Sequence, residues 1–180
     1  MIYFVRHGES EANRDRLYAG QRDDCPLTPK GEKQAHEAGE DIKRKQLTID
    51  RIICSPLQRS AKSAAAIAKD IGFDPAHIII DPRITEYDMG SLTGKPMPTA
   101  SAELVTPDNA EDVHAFQQRV MAVLHEAAAL PGNTLIVSHA GVAKVIEATR
   151  RHHPPHIFHD LDGYPHGQVV ELGFLFKVKV

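Results

Sequence analysis

A chain of 180 residues, 42% hydrophobic and 25% charged, has the length of one ordinary globular domain and enough apolar content to bury a core. Its formal charge of -3 argues against nucleic acid as a partner, so any anion site must be a local cluster of cations. No window approaches the roughly 20 apolar residues that span a bilayer, so no membrane partner is expected either.

The predicted elements alternate strand and helix. Met1 to Val5 form a short apolar run suited to a strand buried on both faces, and it ends in Arg6, His7 and Gly8. This start is too short for a secretory leader and has no basic segment before it. Thr28 as N-cap and Pro29 at the first helical position open a helix through PLTPKGEKQAHEAGEDIKRK. Arg51 to Cys54 read as a strand, after which Ser55 and Pro56 restart a helix by the same device. A further strand is expected over His77 to Ile80. Between Gly94 and Glu111 lies KPMPTASAELVTPDNA, whose three prolines predict a loop or short lid at about 95–111. From Glu111 to Leu130 apolar residues recur at helical spacing, and Gly132 with Asn133 stop the helix. Thr134 to Val137 form a second fully apolar strand, turning at Ser138 to Gly141 into a helix near Val142 to Arg151. The tail VVELGFLFKVKV reads as strand, turn at Gly173 and strand, an edge hairpin. This order predicts an α/β fold, a three-layer sandwich with a mostly parallel central sheet flanked by helices, as a single domain over 1–180.

Chemistry gathers at the predicted strand ends, where open α/β sheets bind ligands. Arg6 and His7 end the first strand, and TLIVSHAG repeats the pattern with His139 before a small-residue turn into a helix. Such a turn offers backbone N–H groups and a helix N-terminus to an anion. SPLQRSAKSA puts Arg59 in the first turns of a helix, and ITEYDMGSLTG puts Glu86 four residues before Gly90. Two guanidiniums, two imidazoles and a carboxyl group together suit a phosphate site with acid–base capacity. Arg6 and Arg59 near His7 disfavour its cationic form, keeping a ring nitrogen unprotonated.

MIYFVRHGESEAN, PLTPKG, SPLQRS, ITEYDMGSLTG and VSHAG, in this order, resemble the histidine phosphatase superfamily, the phosphoglycerate mutase-like clan with its RHG motif, over roughly Met1 to Thr149. The resemblance implies that His7 is the nucleophile that becomes a phosphohistidine. It further implies that Arg6, Arg59, His139 and Asn13 bind the phosphoryl oxygens, that Glu86 donates a proton to the leaving oxygen, and that no metal or other cofactor is required. His139 thus counts among both the catalytic and the phosphate-binding residues. The partner implied is a phosphorylated small molecule or a phosphoprotein, and the sequence carries no signal for an oligomeric state.

The resemblance alone does not separate a phosphatase, in which water takes the phosphoryl group, from a mutase, in which a hydroxyl takes it. The sixteen residues between Gly94 and Glu111 make a thin lid, and Gln21 and Arg22 stand where family mutases carry a tryptophan-containing pattern. Both departures favour hydrolysis, and Arg22 and Lys95 are candidates for reading further anionic groups. A catalytically inactive scaffold would be expected to lack one of the five core residues, all of which are present. The run HHPPHIFHD places His152, His153, His156 and His159 close together with His166 beyond. Its prolines break helical pairing, so it reads as a solvated, partly charged loop and not a metal site. Cys25 and Cys54 are too few for a disulfide framework, so both are expected to be free thiols in a reducing cytoplasm.

Overall fold

The computed structural model describes residues 1–97 and 107–173. The middle of the expected lid and the last strand of the expected tail hairpin lie outside the described residues. Five strands form one sheet: β1 (Ile2–Arg6), β2 (Arg51–Cys54), β3 (Ile79–Ile80), β4 (Thr134–Ser138) and β5 (Val169–Glu171). Their order is β3-β2-β4-β1-β5, parallel except for β5, which runs antiparallel to β1 at the edge.

The helices are α1 (Glu11–Arg14), α2 (Pro29–Arg44), α3 (Gln58–Ile71), α4 (Val113–Ala129) and α5 (Ala140–Arg150). Alternate residues of each strand face opposite layers. Phe4 and Ile136 pack with Phe116, Val120 and Ile146 of α4 and α5, whereas Val5, Leu135 and Val137 pack with Ile42 and Ile67 of α2 and α3. The result is the three-layer α/β sandwich that the alternating pattern predicts.

Several boundaries differ from expectation for local reasons. Ser55 does not cap α3. The cap is Leu57, which contributes no side-chain bond, and the Ser55 hydroxyl serves the site described below. The strand expected from His77 is only two residues long, because Asp74 caps a 3-10 turn over Pro75–His77. Asp112 accepts from the N–H groups of His114 and Ala115, delaying the start of α4 to Val113. The last helix begins earlier than predicted, at Ala140, with His139 as its cap. The short α1 was not foreseen; Ser10 and Asn13 close it with a reciprocal capping box.

Two segments meant for the lid are anchored. Tyr18 N–H donates to Lys95 at 2.9 Å and Met97 N–H to Arg16 at 2.7 Å, while Ser91 N–H donates to Asp108 at 2.9 Å. Among the described residues no helix is long and apolar enough to cross a membrane. Both cysteines are free and buried. Burial pushes the Cys54 thiol up to about 11, so it remains an inert core group.

Candidate active site

β1 and β4 are parallel neighbours with Arg6 opposite Ser138. The next residue of each strand, His7 and His139, therefore leaves the sheet side by side, with ring centroids 5.0 Å apart and planes inclined by 64°. His7 N–H extends the ladder onto the Ser138 carbonyl at 2.9 Å. The glycine of RHG is required by space. A Cβ on Gly8 would lie 2.6 Å from the carbonyl carbon of Gly31, where the loop crosses the start of α2. Gly8 N–H donates to Ser63 Oγ at 3.1 Å, and Ser63 Oγ donates to the Arg59 carbonyl at 2.8 Å, tying this loop to α3.

The nucleophile candidate has a defined tautomer. His7 Nδ1 lies 2.6 Å from the Gly8 carbonyl oxygen, an acceptor only, so Nδ1 carries the hydrogen and Nε2 the lone pair. His7 is 3% exposed. Burial is the largest influence holding it well below the ordinary histidine range; Arg59 and Arg6 add to this, and the Gly8 bond opposes it. The sequence argument named the two arginines and missed the larger contribution of burial. His166, read as part of a solvated loop, instead donates from Nδ1 to the His7 carbonyl at 2.7 Å. Burial, with Arg6 next, pushes its pKa down to about 4, so it is neutral near pH 7.

His139 is fully buried. Its Nε2 lies 2.7 Å from Ser55 Oγ, which itself accepts the Leu57 N–H at 3.3 Å. With that donor already on its oxygen, the Ser55 hydroxyl can give its hydrogen to Nε2, leaving the His139 ring proton on Nδ1. Nδ1 has no hydrogen-bond partner among the described residues, and neither does Arg6 Nε, although both are buried. Buried donors are normally satisfied, and an oxyanion beside His7 would serve both.

Arg59 is 2% exposed and is aimed by two bonds of 2.8 Å, Nη1 to the Asp23 carbonyl and Nη2 to that of Gly20. Arg6 donates from Nη1 to the Tyr164 carbonyl at 3.2 Å. Asn13 engages its Oδ1 with Ser10 N and Oγ at 3.1 and 2.9 Å, which leaves the amide Nδ2 as its available group. Glu86 accepts from Tyr87 N–H at 2.8 Å and from Gly141 N–H at 3.2 Å. A Cβ at position 141 would lie 3.2 Å from the Glu86 carboxyl carbon and closer still to Oε1, so glycine makes room for the carboxylate over the start of α5.

Arg6, His7, Asn13, Arg59 and Glu86 line one cleft of about 920 Å³, and the buried His139 ring stands 5.0 Å from that of His7. All six expected site residues therefore meet in one place. Arg22 does not join them as an anion reader. It pairs with Asp88 at 2.8 Å and donates to the Asn109 carbonyl, clasping the rim. The structure adds Lys144, His156 and His159 to the cleft wall. His156 and His159 belong to a 3-10 helix over Pro155–Asp160 that buries Phe158, which the prolines had suggested was an open loop. Among the described residues no group of histidine, cysteine and carboxylate side chains is arranged to hold a metal ion.

A mostly parallel sheet whose strand ends carry Arg6, His7 and His139, joined by Arg59 from the first turn of α3, gives an α/β protein with a cationic, histidine-bearing cleft. The sequence pattern of the histidine phosphatase superfamily (branch 1) matches residues 2–175, and this chain belongs to that superfamily. The match extends into the tail, beyond the range that the motifs alone cover. The chain is 38% identical to the protein of Cronobacter sakazakii named "Probable phosphoglycerate mutase GpmB", over 77% of this chain and 68% of that one. Its fold is similar to that of the alpha-ribazole phosphatase from Shigella flexneri, with a TM-score of 0.75 and 26% identity over 93% of this chain and 87% of the other. A mycobacterial glucosyl-3-phosphoglycerate phosphatase shares the fold at a TM-score of 0.76, with 22% identity over 93% and 90% of the two chains.

Proposed function

We propose that this protein is a phosphatase that hydrolyses phosphomonoesters, without a metal, through a phosphohistidine on His7. The observation that carries the reading is the His7 tautomer, a buried neutral imidazole whose hydrogen is committed to the Gly8 carbonyl. In the first step Nε2 attacks phosphorus, the phosphorus–oxygen ester bond breaks, and a protonated Glu86 gives its proton to the leaving oxygen. In the second step water attacks the phosphohistidine, Glu86 takes the proton released, and the phosphorus–nitrogen bond breaks with its electron pair returning to Nε2. Arg6, Arg59, the Asn13 amide and His139 Nδ1–H hold the non-bridging oxygens; in phosphoryl transfer, positioning and electrostatics supply nearly all the catalysis.

A mutase is the second reading, favoured by the name of the Cronobacter relative. Hydrolysis is favoured by the short segment between Gly94 and Glu111 and by a cleft that leaves room for water. The test is turnover of 4-nitrophenyl phosphate by wild type and His7→Ala with excess chelator, together with 3-phosphoglycerate assayed for both isomerisation and phosphate release. Expected is phosphate release by wild type, abolished in His7→Ala, and capture of a phosphohistidine after rapid acid-free quenching. Isomerisation without net phosphate release would replace the phosphatase with a mutase. Activity surviving in His7→Ala would remove the mechanism.

A further inference from the structure

We infer that Tyr164, held by Glu147, is a positioning residue for the reaction: its phenol is moored to α5 and its carbonyl sets the direction of the Arg6 guanidinium. The inference rests on the reading of Arg6 as a ligand of the phosphoryl group.

The two arginines of the site are aimed by different means. Arg59 is gripped by two carbonyls, those of Gly20 and Asp23, each at 2.8 Å. Arg6 meets the Tyr164 carbonyl, 3.2 Å from Nη1, and its buried Nε has no partner among the described residues. A guanidinium is planar, so where that carbonyl stands decides where Nε and the other terminal nitrogen point. Tyr164 lies in the segment 161–168, which contains no helix and joins the sheet only by the single bridge of His166 to Arg6. The same segment holds the backbone of the RHG motif. Gly167 N–H donates to the Arg6 carbonyl at 3.0 Å, and His166 Nδ1 donates to the His7 carbonyl at 2.7 Å. A stretch without regular structure needs an anchor of its own to stay in such a position.

The anchor is the phenol. Tyr164 OH donates to Glu147 Oε1, and the ring stands edge-on to Phe4, two residues before Arg6 on β1, with centroids 5.7 Å apart. Glu147 is an unusual residue for its place: it lies between Ile146 and Ala148 on the buried side of α5 and is 4% exposed. Its Oε2 meets Arg150 at 2.9 Å and Arg151 at 3.3 Å, both more than half exposed. Such surface pairs contribute little and do not require a buried carboxylate. Burying a carboxylate is costly, and the partner that needs this one inside is the Tyr164 phenol. Burial works against the ionisation of Glu147, but the bonds from Tyr164 and Arg150 outweigh it and hold the carboxyl below its ordinary range. The bond from the phenol is therefore charge-assisted near pH 7. Burial, and then this bond, raise the pKa of Tyr164, so the phenol stays a donor. The helix α5 thus reaches the site twice, through His139 at its cap and through Glu147 and Tyr164 about two turns on.

The first readout does not depend on turnover. In protein labelled with 15N-arginine, the Nε–H signals of Arg6 and Arg59 are assigned with Arg6→Lys and Arg59→Lys. Tyr164→Phe, which removes only the phenol oxygen, should shift or broaden the Arg6 signal and leave that of Arg59 in place. Glu147→Ala should do the same, and Glu147→Gln, which keeps an acceptor, should fall between it and wild type. Folding of each variant is checked by circular dichroism. The second readout is kcat/KM for 4-nitrophenyl phosphate in a double-mutant cycle. Tyr164→Phe should lower it about tenfold in wild type and less than about twofold in Arg6→Lys, because the arginine through which it acts is gone. A purely structural role would cost the same in both backgrounds. An unmoved Arg6 signal, or equal losses in the two backgrounds, would overturn the inference. A moved Arg6 signal in a protein that hydrolyses no phosphate ester would instead count against the phosphatase reading and leave Tyr164 standing as the residue that aims Arg6.

Discussion

Gly141→Ala separates the acid role proposed for Glu86 from the integrity of the fold. The new methyl would overlap Glu86 Oε1 and crowd the carboxyl carbon at 3.2 Å, so the carboxylate must move by about 1 Å to regain ordinary contact. That displacement loses or lengthens the bonds from Tyr87 N–H at 2.8 Å and Gly141 N–H at 3.2 Å. Two partly exposed bonds are worth about 1 kcal/mol each, and alanine recovers up to about 1 kcal/mol over glycine in a helix. The atom that yields is the end of a flexible side chain, so stability should fall by no more than about 2 kcal/mol. A misplaced general acid costs about 10²- to 10⁴-fold, or roughly 3–5 kcal/mol of barrier. Only substrates that need a proton on the leaving oxygen should show that loss. The assay is kcat/KM for an alkyl phosphate beside 4-nitrophenyl phosphate, whose phenolate departs as a stable anion. A fall of at least a hundredfold on the alkyl ester with less than tenfold on the aryl ester is expected. Equal losses on the two, or none on the alkyl ester, would refute Glu86 as the proton donor.

Stability should also respond to acid. His7 and His139 have pKa values depressed well below that of the unfolded chain, so below about pH 6.5 the unfolded state binds more protons than the native one. Stability is then full above pH 6.5 and is lost as pH falls through it. The loss is about 1.4 kcal/mol per histidine at one unit below, and roughly 4 kcal/mol at pH 5.5 once His166, pushed down to about 4, is counted with these two. Thermal unfolding at pH 7.5 and 5.5 should differ by roughly 8–16 °C; equal midpoints would mean that these imidazoles titrate freely in the fold. Gly8→Ala should be far more damaging than Gly141→Ala, because its methyl meets the backbone of Gly31 at 2.6 Å and not a movable side chain. A loss of about 3 kcal/mol in a urea titration is expected, and a loss under 1 kcal/mol would show that the loop can separate from α2.

The chain order of strands and helices, the two strand-end histidines and the arginine of SPLQRS were legible in the sequence. Each depends on a local pattern: apolar runs of strand length, small-residue turns, and a helix start that puts Arg59 in its first turns. The resemblance to a family then supplied Asn13 and Glu86 with roles that local pattern could not. What the tertiary structure decided was pairing between distant segments. Ser55, read as a helix cap, reaches 84 residues along the chain to His139, and His166 of the histidine-rich tail supports His7 from 159 residues away. Arg22 is withdrawn from anion binding by Asp88, while Lys144, unremarkable in an amphipathic helix, lines the cleft and reaches the His159 carbonyl. Composition and periodicity specify which face of an element is buried. Which buried polar group finds a partner, and which is left for a ligand, depends on distances that exist only once β1 and β4 lie side by side.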